Sequence, residues 1–190
     1  MALLPYVDPD EAPPSVETHL NEERERLGRV PLYDAILAHE PTVLSAAHRY
    51  HAALMAGDRL DRRLKELAYV AVSMENDCEY CTAAHVESLV ERLEVPESMV
   101  EEMARDDLAP LEERERLVVR TARQVARDPQ RLGAADLDRC RDVGFDEAAI
   151  VELVATCAEA VHANTIAQAF SIHPGDYEHG ELSADGTGRD

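Results

Sequence analysis

Apolar residues recur at intervals of three and four along most of the chain, and charged residues fill the positions between them. In the segment that follows Asp61, for example, Leu64, Leu67, Ala68 and Ala71 fall on one face of a helix. No run alternates apolar and polar residues with the period of two that a half-buried strand requires. The pattern therefore predicts an all-α protein with no sheet.

Proline and glycine separate the periodic segments and set the expected helix boundaries. They fall between segments at Pro31, Pro41, Pro96, Pro110, Pro129, Pro174, Gly28, Gly57, Gly133 and Gly144. The predicted helices cover residues 15–28, 32–39, 41–56, 61–74, 78–93, 97–105, 111–127, 134–143 and 146–171. Ser15 is expected to cap the first helix, and Asn76 or Asp77 to cap the helix that begins near Cys78.

Length and composition indicate one helical domain with short flanking segments. The chain has 190 residues, of which 45% are hydrophobic and only 4% aromatic, a mix that suits helices packed through Ala, Leu and Val. We expect an extended N-terminal arm over residues 1–14 and a single all-helical domain over residues 15–174. The polar, glycine-rich residues 175–190 are expected to form a disordered tail.

Charge excludes several classes of partner. The chain carries 39 acidic and 19 basic residues, which gives a formal net charge of −20. Such a surface repels nucleic acid and anionic membranes. No stretch approaches the roughly 20 apolar residues that span a bilayer, and the first residues lack the basic and apolar regions of a secretory signal. We therefore expect a cytoplasmic protein with no membrane association.

The candidate chemistry lies in Cys78, Cys81 and His85. At helical spacing Cys81 lies one turn from each of the other two, and the cysteine Cα atoms are about 5–6 Å apart, which a disulfide can bridge. The start of a helix stabilises a thiolate, and an imidazole can accept the thiol proton. The other two cysteines are expected to be structural, with Cys157 in the core and Cys140 exposed among charged residues.

Four alternatives compete for this cluster. A closed zinc site needs four ligands, and the sequence contains no second Cys-x-x-Cys. Haem attachment needs a histidine directly after the second cysteine, where Thr82 stands. Thioredoxin-like chemistry needs a neighbouring βαβ pattern, and the cysteines can also be small core residues. Redox use remains the leading interpretation, with no cofactor and no metal expected.

The segment from Glu66 to His85 resembles the signature of the AhpD-like alkylhydroperoxidases, which belong to the carboxymuconolactone decarboxylase superfamily. A glutamate precedes the Cys-x-x-Cys by twelve residues, and a histidine follows its second cysteine by four. The proline-rich opening from Leu4 to Pro14 and the segment Leu27–Pro31 are similar to the longer peroxidase-related members. The resemblance implies an AhpD-like helical bundle that assembles into homotrimers or homohexamers.

The resemblance also implies a role for each residue of the signature. Cys81 corresponds to the peroxidatic nucleophile and Cys78 to the resolving thiol, while His85 and Glu66 correspond to a proton relay. The implied substrate is a hydroperoxide, and the implied electron donor is an external dithiol such as a lipoyl-type protein. Considered without the resemblance, Glu66 is expected to be a solvated charge.

One position departs from the family pattern. The best-known branch carries a histidine just before the second cysteine, where this chain has Tyr80, which is a poor base near neutral pH. The true carboxymuconolactone decarboxylases lack the Cys-x-x-Cys, so its presence argues against that reaction. Two other functions stay open: a non-enzymatic redox sensor or zinc-binding oligomer, and a lyase of the same superfamily.

Four other polar residues are interpreted as structural. His48 and His51 share a helix face and are expected to serve packing or to meet solvent. His162 and Asn164 lie on a strongly apolar helix, where we expect them to be satisfied polar groups in a helix–helix contact, between subunits or within one.

Overall fold

The computed structural model describes residues 2–179, and within that range it contains nine α-helices and no β-strand. The helices are α1 (Pro14–Leu27), α2 (Leu32–Leu37), α3 (Pro41–Ala56), α4 (Arg62–Glu75), α5 (Glu79–Glu87), α6 (Glu97–Ala104), α7 (Glu113–Arg127), α8 (Ala134–Asp142) and α9 (Glu147–Ala169). Short 3₁₀ segments occur at Pro9–Glu11, Pro129–Arg131 and Pro174–His179, and a π-helical segment at Ser88–Arg92 continues α5. The predicted all-α class and the order of the helices are confirmed.

The first helix begins one residue earlier than predicted. Pro13 is the N-cap and Pro14 is the first helical residue, so Ser15 lies inside the helix and does not cap it. Proline suits this position because its missing N–H would have no partner in the first turn. The helix ends at Gly28, whose φ of 75° is the left-handed conformation that glycine adopts without steric cost.

The described residues divide into two compact units. The core unit is Ala52–Thr165, and the terminal unit takes in the residues up to His51 and those from Ile166 onward. Helices α3 and α9 contribute residues to both units. Every residue of the predicted thiol site belongs to the core unit.

The core unit is built around α4, which packs mainly against α7 and α5. Asp61 caps this helix, because its carboxylate accepts a hydrogen bond from the Leu64 N–H at 2.9 Å. All ten residues from Leu64 to Ser73 are buried, so α4 is surrounded by protein on every side. Two of these ten, Lys65 and Glu66, are charged and therefore require partners.

Lys65, the only lysine in the sequence, connects α4 to the end of α3 and to α9 through its ammonium group. Its buried ammonium donates to the carbonyl oxygens of Leu54 at 2.7 Å and Gly57 at 2.5 Å, which belong to the end of α3 and the residue after it. It also pairs with Glu152 of α9 at 2.5 Å. These three partners satisfy the ammonium inside the core unit.

Helix α9 is long and apolar enough to cross a membrane, by length and composition alone. It has 23 residues, and an 18-residue window within it has a mean hydropathy of 1.2. The expectation that no segment is long and apolar enough to span a bilayer is therefore wrong. However, 44% of that window is buried inside the protein, and α9 supplies core residues such as Leu153, Cys157 and Ala160. The core helix of a protein that does not cross a membrane passes the same test, so one such helix is weak evidence for a membrane span.

In the terminal unit the two ends of the chain are hydrogen-bonded to each other. The Leu3 N–H donates to the Phe170 carbonyl at 2.9 Å, and the Tyr6 hydroxyl donates to the Asp176 carboxylate at 2.6 Å. The predicted disordered tail starts at residue 175, within the 3₁₀ segment Pro174–His179. Its remaining residues, 180–190, lie outside the described range.

Candidate active site

The turn between α4 and α5 places the two cysteines. Asp77 adopts a left-handed conformation with φ of 53°, and the Cys78 N–H then donates to the Ser73 carbonyl at 2.9 Å. Cys78 is therefore the N-cap of α5, and Cys81 is its third helical residue. The prediction that Asn76 or Asp77 would cap this helix is wrong, because the left-handed turn at Asp77 delays the helix start.

The structure brings the two sulfur atoms into contact. The Sγ atoms of Cys78 and Cys81 are 2.8 Å apart, both thiols are free, and their residues are 3% and 4% exposed. A disulfide bond between them would shorten this distance to about 2.05 Å. The two thiols are thus arranged as near neighbours, close enough to form a disulfide without a large movement.

The two thiols differ in acidity. The hydrogen bond from the Cys81 thiol lowers the pKa of Cys78 against the opposing effect of burial, and the Cys81 backbone N–H lowers it further. Donating that hydrogen bond raises the pKa of Cys81, and burial raises it again. Cys78 is therefore the more acidic thiol of the pair, and Cys81 holds its proton more tightly.

Asn164 of α9 is the third residue at the sulfurs. Its side chain is 1% exposed and hydrogen-bonds Cys81, which lowers the pKa of that thiol. The same amide donates to the Ser73 hydroxyl at 3.0 Å and accepts from the Asn76 amide at 3.0 Å. Asn164 is thus a satisfied polar group inside one chain, whereas His162 on the same helix is exposed.

Glu66 is fully buried, so the expectation of a solvated charge is wrong. Its carboxylate accepts hydrogen bonds from His85 Nδ1 at 2.6 Å, Ser88 Oγ at 2.9 Å and Arg62 Nε at 2.7 Å. Burial by itself raises the pKa of Glu66. The hydrogen bond and charge of His85, followed by Arg62 and Ser88, outweigh it and lower the pKa to about 2. The carboxylate is therefore ionised at neutral pH.

Two contacts fix the His85 imidazole. Glu66 binds its Nδ1, and the Tyr69 ring stacks on it with centroids 3.9 Å apart and an interplanar angle of 19°. When Nδ1 carries its proton toward Glu66, Nε2 is the nitrogen that can accept another proton. Four residues separate His85 from Cys81 on α5, so the imidazole lies about one helical turn beyond that thiol.

Sequence reasoning missed three partners of the site. Arg62 lies four residues before Glu66, and Ser88 lies three after His85, both at helix-neighbour spacing that could have identified them. Asn164 gave no such signal, because it reaches the thiols only through the packing of α9. Tyr80, the departure from the family pattern, is buried beside Cys81.

The remaining cysteines differ from the reactive pair. Cys140 is 1% exposed, so the prediction that it is exposed is wrong; its charged neighbours lie on the outer face of α8 while its own side chain faces the core. Burial raises the pKa of Cys140, and it raises that of Cys157 to about 12. Both thiols are therefore protonated at neutral pH and poorly reactive.

One group of side chains in the described residues has the composition and spacing of a metal-ligand set. It consists of His19, Asp34 and His48, all in the terminal unit. The other histidine of the α3 pair, His51, is also partly buried and lies outside that group.

A family model and several solved structures match the chain. Residues 41–111 match the carboxymuconolactone decarboxylase family, a range that includes Glu66, both reactive cysteines and His85. No curated protein matches.

Two similar crystal structures are of peroxidase-related proteins. One is an alkylhydroperoxidase AhpD core, an uncharacterized peroxidase-related protein from Ralstonia eutropha JMP134, with 26% identity, a TM-score of 0.86 and 93% of each chain covered. The other is an uncharacterized peroxidase-related protein from Silicibacter sp. TM1040, with 26% identity, a TM-score of 0.83, and 94% of this chain and 93% of that chain covered.

A debrominase, Bmp8, shares the fold at 19% identity, with a TM-score of 0.76 and 89% of each chain covered; it was solved in complex with 2,3,4-tribromopyrrole. This fold therefore occurs in proteins with different substrates. Taken together, the family match over residues 41–111 and the two peroxidase-related structures show that the chain is similar to the AhpD-like proteins of the carboxymuconolactone decarboxylase superfamily.

Proposed function

We propose that this protein is a thiol-dependent peroxidase that reduces hydroperoxides through Cys78 and Cys81, with His85 and Glu66 as a proton relay. The observation that carries the proposal is the contact between two free thiols, 2.8 Å apart at the start of α5. Similarity to two peroxidase-related proteins over more than nine-tenths of the chain supports an enzyme of this general kind.

We assign the attack to Cys81, the position that the family resemblance implies. Because the pKa of the Cys81 thiol is raised, attack by this sulfur requires a base to remove its proton. His85 is that base in our proposal: Glu66 holds Nδ1 and leaves Nε2 to accept the proton. The negative charge of Glu66 stabilises the imidazolium that results.

In the first step the Cys81 thiolate attacks the outer oxygen of the hydroperoxide. A sulfur–oxygen bond forms, the oxygen–oxygen bond breaks, and the leaving alkoxide takes the proton held by His85 to become an alcohol. The sulfur is oxidised to a sulfenic acid and the peroxide is reduced. Hydrogen bonding by Asn164 favours the thiolate form of Cys81 that this step needs.

In the second step the Cys78 sulfur attacks the sulfenic sulfur. A disulfide forms and the hydroxyl group leaves, taking the Cys78 proton to form water. An external dithiol then reduces the disulfide by thiol–disulfide exchange and is itself oxidised. The net reaction converts one hydroperoxide and one dithiol into an alcohol, water and the oxidised dithiol.

The setting of this activity completes the proposal. We propose a lipoyl-type dithiol protein as reductant, a homo-oligomeric assembly that is a trimer or a hexamer, and a cytoplasmic location. The reductant and the assembly follow from the family resemblance. The net charge of −20 disfavours nucleic acid and anionic membranes as partners.

Hydroperoxide consumption with dihydrolipoamide or dithiothreitol tests the proposal. We expect near-complete loss of turnover in Cys81→Ser and in Cys78→Ser, and unchanged turnover in Cys140→Ser, a matched variant at a buried cysteine outside the pair. Equal rates in all four proteins would contradict the peroxidase function. Oxidation of the pair without repeated turnover would instead support the redox sensor.

A further inference from the structure

Three side chains from three different helices meet in the terminal unit. His19 comes from α1, Asp34 from α2 and His48 from α3. His19 Nε2 lies 3.0 Å from Asp34 Oδ2, and the rings of His19 and His48 meet edge to face with centroids 4.4 Å apart. One donor atom from each residue lies within 4.8 Å of the other two.

These separations are close to those of a metal site. In tetrahedral zinc coordination, bonds of about 2.0–2.1 Å place neighbouring donor atoms about 3.3 Å apart. The histidine–aspartate pair already has nearly this separation. The His48 ring needs to approach by at most about 1.5 Å, which a side-chain rotation on α3 supplies without moving the backbone.

The environment favours a cation and leaves His48 available. Asp34, Glu23 and Glu22 all act on His19 by their negative charge, and the ion pair of Arg26 with Glu23 offsets part of it. Within residues 2–179, His48 contacts the His19 ring but forms no hydrogen bond with another side chain or the backbone. Its ring nitrogens are therefore free to bind an ion.

The ligand types indicate which ions fit. Two imidazoles and one carboxylate form the protein part of open zinc sites and of non-haem ferrous sites, in which water or substrate completes the coordination. Hard cations such as Mg²⁺ and Ca²⁺ prefer all-oxygen ligands, which this cluster does not provide. His19 and Asp34 are each only about one-sixth exposed, so a bound ion would be shielded on the protein side and open toward solvent.

We propose that His19, Asp34 and His48 bind one divalent transition-metal ion of the zinc or ferrous class in the terminal unit. This site is separate from the thiol pair and does not depend on the peroxidase proposal, because none of its residues belongs to the core unit. Its ligands hold α1, α2 and α3 together, so the ion stabilises the fold of the terminal unit.

The test uses the full chain carrying Cys78→Ser and Cys81→Ser, which removes thiols that would themselves bind zinc. Calorimetric titration with Zn²⁺ is expected to give one ion per chain. Asp34→Asn and His48→Gln, each added to this parent, are expected to weaken binding at least 100-fold. His51→Gln, which removes a histidine on the same helix outside the cluster, is expected to leave binding unchanged.

Two further measurements guard against a folding artefact. Zinc at about 100 times its dissociation constant is expected to raise the parent's melting temperature by about 5–10 °C. It is expected to leave the melting temperatures of Asp34→Asn and His48→Gln unchanged. The metal-free circular dichroism of each variant must match that of the parent, so that a folding defect does not explain the difference. Anaerobic titration with Fe²⁺ identifies which of the two ions binds more tightly. No binding of either ion by the parent, or stoichiometric binding that survives both Asp34→Asn and His48→Gln, overturns the proposal.

Discussion

His85 and Glu66 form a buried pair in which Nδ1 of the imidazole lies 2.6 Å from Oε2 of the carboxylate. Arg62 and Ser88 bind the other carboxylate oxygen, so all the strong partners of Glu66 favour its ionised form. The pair therefore fixes which histidine nitrogen faces Glu66 and stabilises positive charge on the ring. Both effects are testable through the carboxylate.

Replacing Glu66 by glutamine is expected to reduce kcat/KM for hydroperoxide reduction about 100-fold or more. Glutamine keeps the size and can still accept a hydrogen bond from His85, but it cannot stabilise the imidazolium. Steady-state kinetics with a dithiol reductant measures the effect. Glu97→Gln on the exposed start of α6 serves as the matched control and is expected to keep the parent rate. A Glu66→Gln enzyme at full rate would remove Glu66 from the relay.

The pKa of Glu66 predicts an acid-dependent loss of stability. Folding lowers this pKa from 4.5 to about 2, so the carboxylate contributes its full stabilisation above pH 4.5 and loses it progressively as the pH falls toward 2. The contribution above pH 4.5 is about 3 kcal/mol. Urea unfolding of the parent and Glu66→Gln is expected to show a stability difference that narrows by most of this amount between pH 5 and pH 2.5. A constant difference would contradict the lowered pKa.

Asn164 is expected to control the reactivity of Cys81. Asn164→Leu removes the hydrogen bond that lowers the pKa of this thiol, so the Cys81 pKa should rise and its reaction with peroxide should slow about tenfold. The variant also removes the hydrogen bonds of Asn164 with Ser73 and Asn76, which costs about 1–3 kcal/mol of stability. Stopped-flow measurement of the first turnover separates reactivity from folding. His162→Gln, an exposed change on the same helix, is the control.

The periodic pattern predicted the order and type of all nine described helices, because apolar residues recur at helical spacing between the proline and glycine boundaries. The spacing likewise anticipated two contacts, one between Cys78 and Cys81 and one between Glu66 and His85. These contacts are local or lie between consecutive helices, where the sequence separation fixes the geometry.

Three features of the structure could not be predicted from the spacing of residues along the sequence, each for a physical reason. The left-handed turn at Asp77 makes Cys78 a cap, and a non-glycine residue gives little warning of that conformation. Asn164 reaches the thiols through tertiary packing between distant helices. Cys140 is buried although its sequence neighbours are charged, because adjacent residues on a helix face different directions.

The buried ammonium of Lys65 predicts a large loss of stability on substitution. Lys65→Met is expected to cost about 3–5 kcal/mol, because Glu152 is left as a buried charge and two carbonyl oxygens lose their donor. Urea unfolding at pH 7 measures this cost. The double variant Lys65→Met with Glu152→Leu removes the unpaired charge and is expected to recover part of the loss. If the double variant recovers no stability, the loss in Lys65→Met comes mainly from the carbonyl contacts and not from the unpaired carboxylate of Glu152.

The unequal acidity of the two thiols predicts the order in which they are modified. In the reduced protein near neutral pH, limiting iodoacetamide is expected to alkylate Cys78 first, because its pKa is lowered, whereas Cys140 and Cys157 react only after unfolding. Peptide mass spectrometry gives the order. Peroxide treatment with a sulfenic-acid trap makes the complementary measurement: in Cys78→Ser the trap is expected on Cys81. If the trap instead labels Cys78 in Cys81→Ser and nothing in Cys78→Ser, Cys78 is the attacking sulfur. In that case the thiol with the lower pKa in the resting state also performs the chemistry.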